Sequence, residues 1–312
     1  MSIIIGILEE GLIYAILALG VYITYKILDF PDLSVDGTFP MGAAVTAMLI
    51  MRGVSPALTL PLAFLAGALA GCVTGFIHVK LRVRDLLSGI IMMTALYSLN
   101  LRIAGKANLP IFSKDTIFDN SFFAQAVPEP VKPYLAVLVL LLITVVCKIL
   151  LDLYLNTRSG YLLRAVGDNE VLVTSLAKDK GMVKLCGLAI ANGFVALAGC
   201  VYCQQKGFFE ISTGTGAIVI GLANVIIGTK LFKNLRLFSA KTGENKDGQI
   251  KHRSGLKATT AVILGSLVYR GCVALAISLG MAASDLKLVT AVLFLIILVL
   301  SSQKGKKVNT HA

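Results

Sequence analysis

Apolar residues in this chain run in long blocks rather than in the alternating or one-sided patterns of a soluble domain. The blocks fall at Gly11–Leu28, Thr38–Met51, Ala57–Val79, Leu86–Ala104, Tyr134–Tyr154, Leu185–Cys203, Gly216–Leu231, Ala258–Leu279 and Leu286–Ser301. Most approach the ~20 residues that a helix needs to cross the hydrocarbon of a bilayer. The pattern predicts an all-α integral membrane protein of about nine transmembrane helices, forming a single domain over residues 1–312. Two blocks, Thr38–Met51 and Gly216–Leu231, are shorter than the rest and start at glycine-containing turns.

The blocks also repeat. Gly11–Gly20, a polar break and Gly37–Ala47 match Gly187–Gly199, a second break and Gly216–Asn224 in their small-residue pattern. The halves, about 11–104 and 185–302, each hold a full span, a short one and two more, with the fifth span between them. A single crossing between halves gives them opposite orientation. Inverted repeats with short, broken helices at matching positions point to a transporter.

Composition agrees with a membrane location. Hydrophobic residues make up 56% and charged residues 15% of the chain, against about 25% charged in soluble domains. No basic region precedes the first apolar block, where Glu9 and Glu10 lie instead, so no cleavable signal is expected there. The net charge of +12 comes from loop residues, so it reports topology and not a nucleic-acid partner. Lys80, Arg82 and Arg84, then Arg158 to Lys184, then Lys230 to Lys257, and Lys304 to Lys307 alternate onto one side. By the positive-inside rule that side is cytoplasmic, with the amino terminus outside and the carboxyl terminus inside. All six cysteines fall in apolar stretches, and the Cys200–Cys203 spacing reads as helix packing.

Three constellations stand out. The first is the break Asp29–Gly37, with Asp29, Asp32 and Asp36 at the end of a span. It reads either as a solvated turn in which Ser34 or Asp36 caps the next helix, or as a gate at the inner end of a pathway. The second, Glu210–Gly216, offers Ser212, Thr213 and Thr215 before a helix start suited to an anionic group such as a carboxylate, with Asn224 behind it. The hydroxyls are equally ordinary caps. The third is the mixed-charge cytoplasmic loop 156–183, where Gly167 breaks the chain and Asp168 or Asn169 caps a short helix. Val171, Leu172, Ser175 and Leu176 would then share an apolar face for the membrane surface or a soluble partner.

Three segments carry a resemblance. Thr157-Arg-Ser-Gly-Tyr-Leu-Leu-Arg-Ala-Val-Gly-Asp-Asn-Glu170 resembles the coupling loop of ABC importer permeases of the branched-chain amino acid and ribose type. Asp32-Leu-Ser-Val-Asp-Gly-Thr-Phe-Pro-Met-Gly-Ala-Ala-Val-Thr-Ala47 is similar to that family's signature, with Asp36 where the family has glycine. Gly216–Gly228 resembles its second short helix, and the likeness spans about residues 11–302. Within the family, the chain looks most like amino-acid permeases, including those assigned to tryptophan or tyrosine.

The resemblance implies a type II ABC importer fold in a bacterial inner membrane. It also implies a permease subunit moving a small polar solute, here an amino acid. Two copies would form the pathway, cytoplasmic ATPases would dock on the coupling loops, and an external binding protein would deliver the solute. Arg164, Gly167, Asp168, Asn169, Glu170, Leu172 and Leu176 are the coupling candidates. Asp32, Ser34, Asp36, Thr38, Ala44, Ser212, Thr213, Thr215, Ala223 and Asn224 are the pathway candidates. The chain has no G-x-x-x-x-G-K-[ST] loop, so it is expected to bind no cofactor, with ATP and Mg held by the partner. No catalytic or metal cluster is expected, since His78, His252 and His311 are scattered. The rival is an ion-coupled secondary transporter, for which Arg270 is the main mid-span charge.

Overall fold

The computed structural model describes residues 2–119, 132–169, 173, 174, 179–234, 242–244, 250–252, 257–278 and 280, with scattered positions between 288 and 299. Its helices are α1 (Ser2–Val21), continued by a π turn (Tyr22–Ile27), α2 (Val35–Met51), α3 (Pro56–Val79), α4 (Asp85–Ala104), α5 (Lys132–Leu155), α6 (Arg158–Asp168), α7 (Lys180–Lys206), α8 (Ala217–Asn234) and α9 (Ala258–Ser278). Among the described residues, seven helical segments are long and apolar enough to cross a membrane, and Val35–Met51 is a shorter apolar helix. The ninth block, Leu286–Ser301, lies largely outside the described residues; Leu288, Thr290 and Phe294 within it are helical.

Helix α1 is the hub. Every residue from Gly11 to Thr24 is buried, because α5, α7, α8 and α9 all pack on it. A helix that is apolar all round suits such a place. Elsewhere glycines set the spacing. A Cβ at Gly42 would overlap the Ala196 carbonyl, one at Gly199 the Phe39 carbonyl, and one at Gly71 the Leu188 carbonyl. Backbone therefore lies directly against backbone where α7 crosses α2 and α3, the small-residue contact typical of membrane helices. Gly228 and Gly265 do the same for α8 and α9. By contrast α5 turns a broad apolar face outward, with Leu142, Leu150 and Leu153 about 60%, 56% and 61% exposed.

The helices differ from the sequence expectation at their ends. Helix α1 starts nine residues earlier than Gly11, because the acids Glu9 and Glu10 find partners inside the bundle (below). Helix α7 starts at Lys180, where Asp179 caps it by accepting from the backbone N–H groups of Gly181 and Met182 at 2.8 and 3.4 Å. Short strands appear that apolar patterning did not reveal. β1 (Asn108–Pro110) pairs antiparallel with β2 (Phe208–Glu210), joining the segment after α4 to the segment after α7. β3 (Thr242–Glu244) pairs with β4 (Ile250–His252) inside the long basic loop.

Candidate functional site

Both breaks turn the chain back into the bundle. At the first, the π turn ends with Leu28 N–H donating to the Ile23 carbonyl at 2.9 Å. Asp29 then adopts a left-handed backbone with φ 51°, a conformation that aspartate tolerates better than most residues. Phe30 N–H closes the turn onto the Thr24 carbonyl at 2.9 Å. Asp32 and Ser34 follow, both fully buried. One Asp32 oxygen accepts from Ser34 N–H at 2.9 Å and the other from the Asn192 amide of α7 at 2.8 Å. Ser34 Oγ donates to Asn192 Oδ1 at 3.2 Å. A buried carboxylate needs such partners. The three side chains form a closed network that fixes the first break to α7. Thr38 donates to the Ser34 carbonyl at 3.0 Å, so its hydroxyl is used within its own helix.

The second break begins at Gly207, with φ 77° after α7, and runs through β2 and a 3-10 turn, Ile211–Gly214. Ser212 Oγ and Thr213 Oγ1 donate to the carboxylate and the carbonyl of Glu210; neither caps α8, and Thr215 is exposed. The cap comes from the other half of the chain. Asp36 accepts from Gly216 N–H at 2.9 Å and from Ile218 N–H at 2.8 Å. The helix start suited to an anion thus has an internal carboxylate on it. Asp36 caps α8 rather than its own helix, and Ser34, at the N-cap of α2, makes no cap bond. At ~1.5 Å rise per residue, Asp36 lies about 22 Å along α2 from Met51. The start of α8 is therefore deep in the bundle.

The remaining candidates divide. Asn224 is buried and donates to Ser266 Oγ at 3.3 Å, which donates in turn to the Gly11 carbonyl at 2.7 Å. Ala44 and Ala223 are fully buried. Ala44 packs with Ile50, Cys203 and Phe209, and Ala223 with Ile227, Tyr269 and Val273. Bulk there would strain the core before it could obstruct open space.

In the coupling region, Gly167 is inside α6 rather than at a break. A Cβ on it would strike the Ile27 carbonyl, so this glycine lets α6 lie flat against the π turn of α1. Thr157 caps α6 by accepting from Gly160 N–H at 3.3 Å. Arg164, Asp168 and Asn169 are exposed, and Asn169 is extended at the helix end. Glu170, Leu172 and Leu176 lie outside the described residues; Val173, between them, is helical and fully buried.

A fourth cluster escaped the sequence reading. Glu10 of α1 pairs with Lys206 of α7 at 2.8 Å and with Arg270 of α9 at 3.0 Å. Glu9 accepts from Gln205 at 2.9 Å. The Arg270 guanidinium lies 4.1 Å from the centroid of the Tyr14 ring, within cation–π range. Tyr14, Phe39 and Tyr202 form a three-ring cluster with centroids 5.5 to 6.4 Å apart. The available signal was Arg270 itself: a mid-span cation calls for an acid, and few acids fall inside the apolar blocks. Among the described residues no group of three or more His, Cys, Asp or Glu is placed to hold a metal ion.

Membrane-length helices around a buried hub, with two interrupted crossings whose starts meet deep in the bundle, define a multi-pass membrane permease. The chain belongs to the family described as branched-chain amino acid transport system / permease component, which it matches over residues 3–302. It is 43% identical to the tyrosine transport system permease protein of Clostridioides difficile, over 95% of this chain and 90% of that protein. It is 32% identical to an uncharacterized protein of Rickettsia prowazekii, over 95% and 96% of the two chains. Among solved structures it resembles PsaBC from Streptococcus pneumoniae in complex with Fab, with a TM-score of 0.50 and 12% identity over 93% of this chain and 89% of that one; that likeness concerns the fold alone. The chain is thus the permease component of an ABC transport system, which implies a partner ATPase and a binding protein.

Proposed function

We propose that the chain is the membrane subunit of an ATP-driven importer of an amino acid, with tyrosine or a similar aromatic amino acid as the solute. The observation that carries the solute is the 43% identity, over nearly the whole of both chains, to a tyrosine transport permease. Two copies form the pathway in the bacterial inner membrane. ATP hydrolysis takes place in a partner ATPase seated on the loop 156–183, where the residues around Leu172 and Leu176 supply the apolar anchors of a helix-in-groove contact. An external binding protein delivers the solute, the amino terminus lies outside and the carboxyl terminus inside.

The geometry supports this reading in two ways. The inverted halves, about 11–104 and 185–302, are supported by the equivalent breaks after α1 and α7 and by the meeting of their short helices at Asp36. Irregular backbone at such depth is tolerated where it lines water or is buried in protein. The exposed polar groups Ser212 and Thr215, beside Asp36, are the best candidates to face solute. An ion-coupled carrier would use an ionisable group at mid-depth; Arg270 is engaged by Glu10 and Tyr14, Asp32 by Ser34 and Asn192, and Asp36 by the start of α8.

Co-expression tests the assignment. The chain should co-purify with its ATPase, and tyrosine uptake should require both. Impermeant maleimide added from outside should label a cysteine at Lys106 and miss one at Ser159; the reverse pattern would overturn the orientation. Thr215→Trp should block uptake while leaving the ATPase bound. Normal uptake by that variant would move the pathway away from the second break.

A further inference from the structure

A cavity of about 180 Å³ lies where the π turn of α1, the end of α5, helix α6 and the start of α9 converge, lined by Tyr22, Asp152, Asn156, Arg164, Lys257 and Thr259 among others. We propose that this cavity holds the phosphate of an anionic phospholipid headgroup. It goes beyond the transport function, and it uses the proposed topology only to say that the inner leaflet supplies the lipid.

Charge is the first argument. Asp152 is nine-tenths buried and fully engaged: it pairs with Lys148 at 3.1 Å and Lys257 at 3.4 Å and accepts from Thr259 Oγ1 at 2.7 Å. Arg164 stands over the Tyr161 ring at 5.9 Å, and among the described residues no acid pairs with it. Two cations, Arg164 and Lys257, thus line the cavity with one carboxylate, Asp152, and the lining keeps an excess of one positive charge. Basic pockets between helix ends at the cytoplasmic side are suited to anionic headgroups. Arginine adds a planar fork of donors that matches phosphate oxygens.

The second argument is an unused donor. Tyr22 lines the cavity, and among the described residues its hydroxyl makes no hydrogen bond, so its donor is open to whatever fills the cavity. A phosphate oxygen in the cavity would accept from it. The π turn is what brings Tyr22 here, and such turns recur at functional sites. The third argument is what surrounds the mouth. The cavity lies at the ends of three spans, and the exposed apolar face of α5, through Ile149, Leu150 and Leu153, runs up to it. Acyl chains attached to a headgroup in the cavity would lie along that face; a free phosphate would make no use of it. Because Gly167 seats α6 on the same π turn, a bound headgroup would fasten the root of the coupling loop to the membrane surface.

Native mass spectrometry of the full chain, purified in detergent and titrated with phosphatidylglycerol or phosphatidylcholine, tests this. One phosphatidylglycerol per chain should bind about fivefold more strongly than phosphatidylcholine, the preference expected when one uncompensated positive charge meets one phosphate whose own charge is not cancelled by a choline. Tyr22→Phe, which removes a single oxygen, and Lys257→Ala should each lower phosphatidylglycerol occupancy by about threefold or more. Leu62→Ala on the lipid-facing side of α3 should leave it unchanged. Equal occupancy by the two lipids, or no loss in either variant, would overturn the proposal. Full displacement of the lipid by millimolar inorganic phosphate, with equal protection against heat, would overturn the lipid as source and leave a free-phosphate site.

Discussion

The bond between the two halves at Asp36 gives a prediction that can be worked through. The perturbation is Asp36→Gly, which places there the residue that the family signature carries. It leaves the backbone N–H groups of Gly216 and Ile218 without their acceptor. Hydrogen bonds to charged groups contribute about 1.5–3 kcal/mol each. Asp36 is only partly buried, so water can reach the orphaned donors, and the lower end applies: about 3 kcal/mol for the pair. That corresponds to a shift of roughly 150-fold in the opening of the α8 start. The assay is the rate at which a water-soluble maleimide reaches a cysteine at Ile218, which is 7% exposed, in a chain otherwise free of cysteine. Asp36→Gly should raise that rate by about two orders of magnitude, and Asp36→Asn, which keeps one acceptor, by about one. Both backgrounds carry the same Ile218→Cys change, so its own effect cancels in the ratio. A rise below about threefold in Asp36→Gly would mean that the carboxylate does not hold the helix, and the reasoning from cap to junction would fall.

Other consequences follow from the same contacts. Asn192→Ala strands the buried Asp32 carboxylate and should destabilise the detergent-solubilised protein by about 3–5 kcal/mol, read as a loss of monodisperse protein on heating; adding Asp32→Asn should restore much of it, and no rescue would show that charge is not the cause. Gly42→Ala drives a methyl into the Ala196 carbonyl and should abolish folded protein at the α2–α7 crossing, whereas Gly271→Ala, with nothing within 4 Å, should be silent in the same expression assay. Arg270→Ala removes one of two cations from Glu10 and the cation from the Tyr14 face. It should lower thermal stability by about 2 kcal/mol or more, with Glu10→Gln adding little on top in a double-mutant cycle.

The apolar blocks made most of the fold legible, because at membrane depth a helix must satisfy its own backbone and announces itself by composition alone. Eight of the blocks correspond to helices, and the two short ones are those that follow the breaks. Ends were harder to read. Glu9 and Glu10 looked like a flank because their partners, Gln205, Lys206 and Arg270, lie some two hundred residues away. Gly167 looked like a breaker, yet what matters there is the Ile27 carbonyl against it, and local propensity does not encode that contact. The second break looked suited to an anionic group or to ordinary hydroxyl caps; that Asp36, 180 residues earlier in sequence, would take the helix start depends on a pairing of halves that a single chain of letters does not specify. Likewise Ala44 and Ala223 were chosen for smallness, and the packed bundle uses that smallness to close its core.

Reconstitution is the most direct test that this chain is the membrane path of an ATP-driven amino-acid importer. The chain, its ATPase and its binding protein are placed in liposomes with ATP inside and labelled tyrosine outside. Tyrosine should accumulate only when all three proteins and hydrolysable ATP are present, and collapsing ion gradients should leave the rate unchanged. Uptake that proceeds without the ATPase and follows a proton or sodium gradient would contradict it.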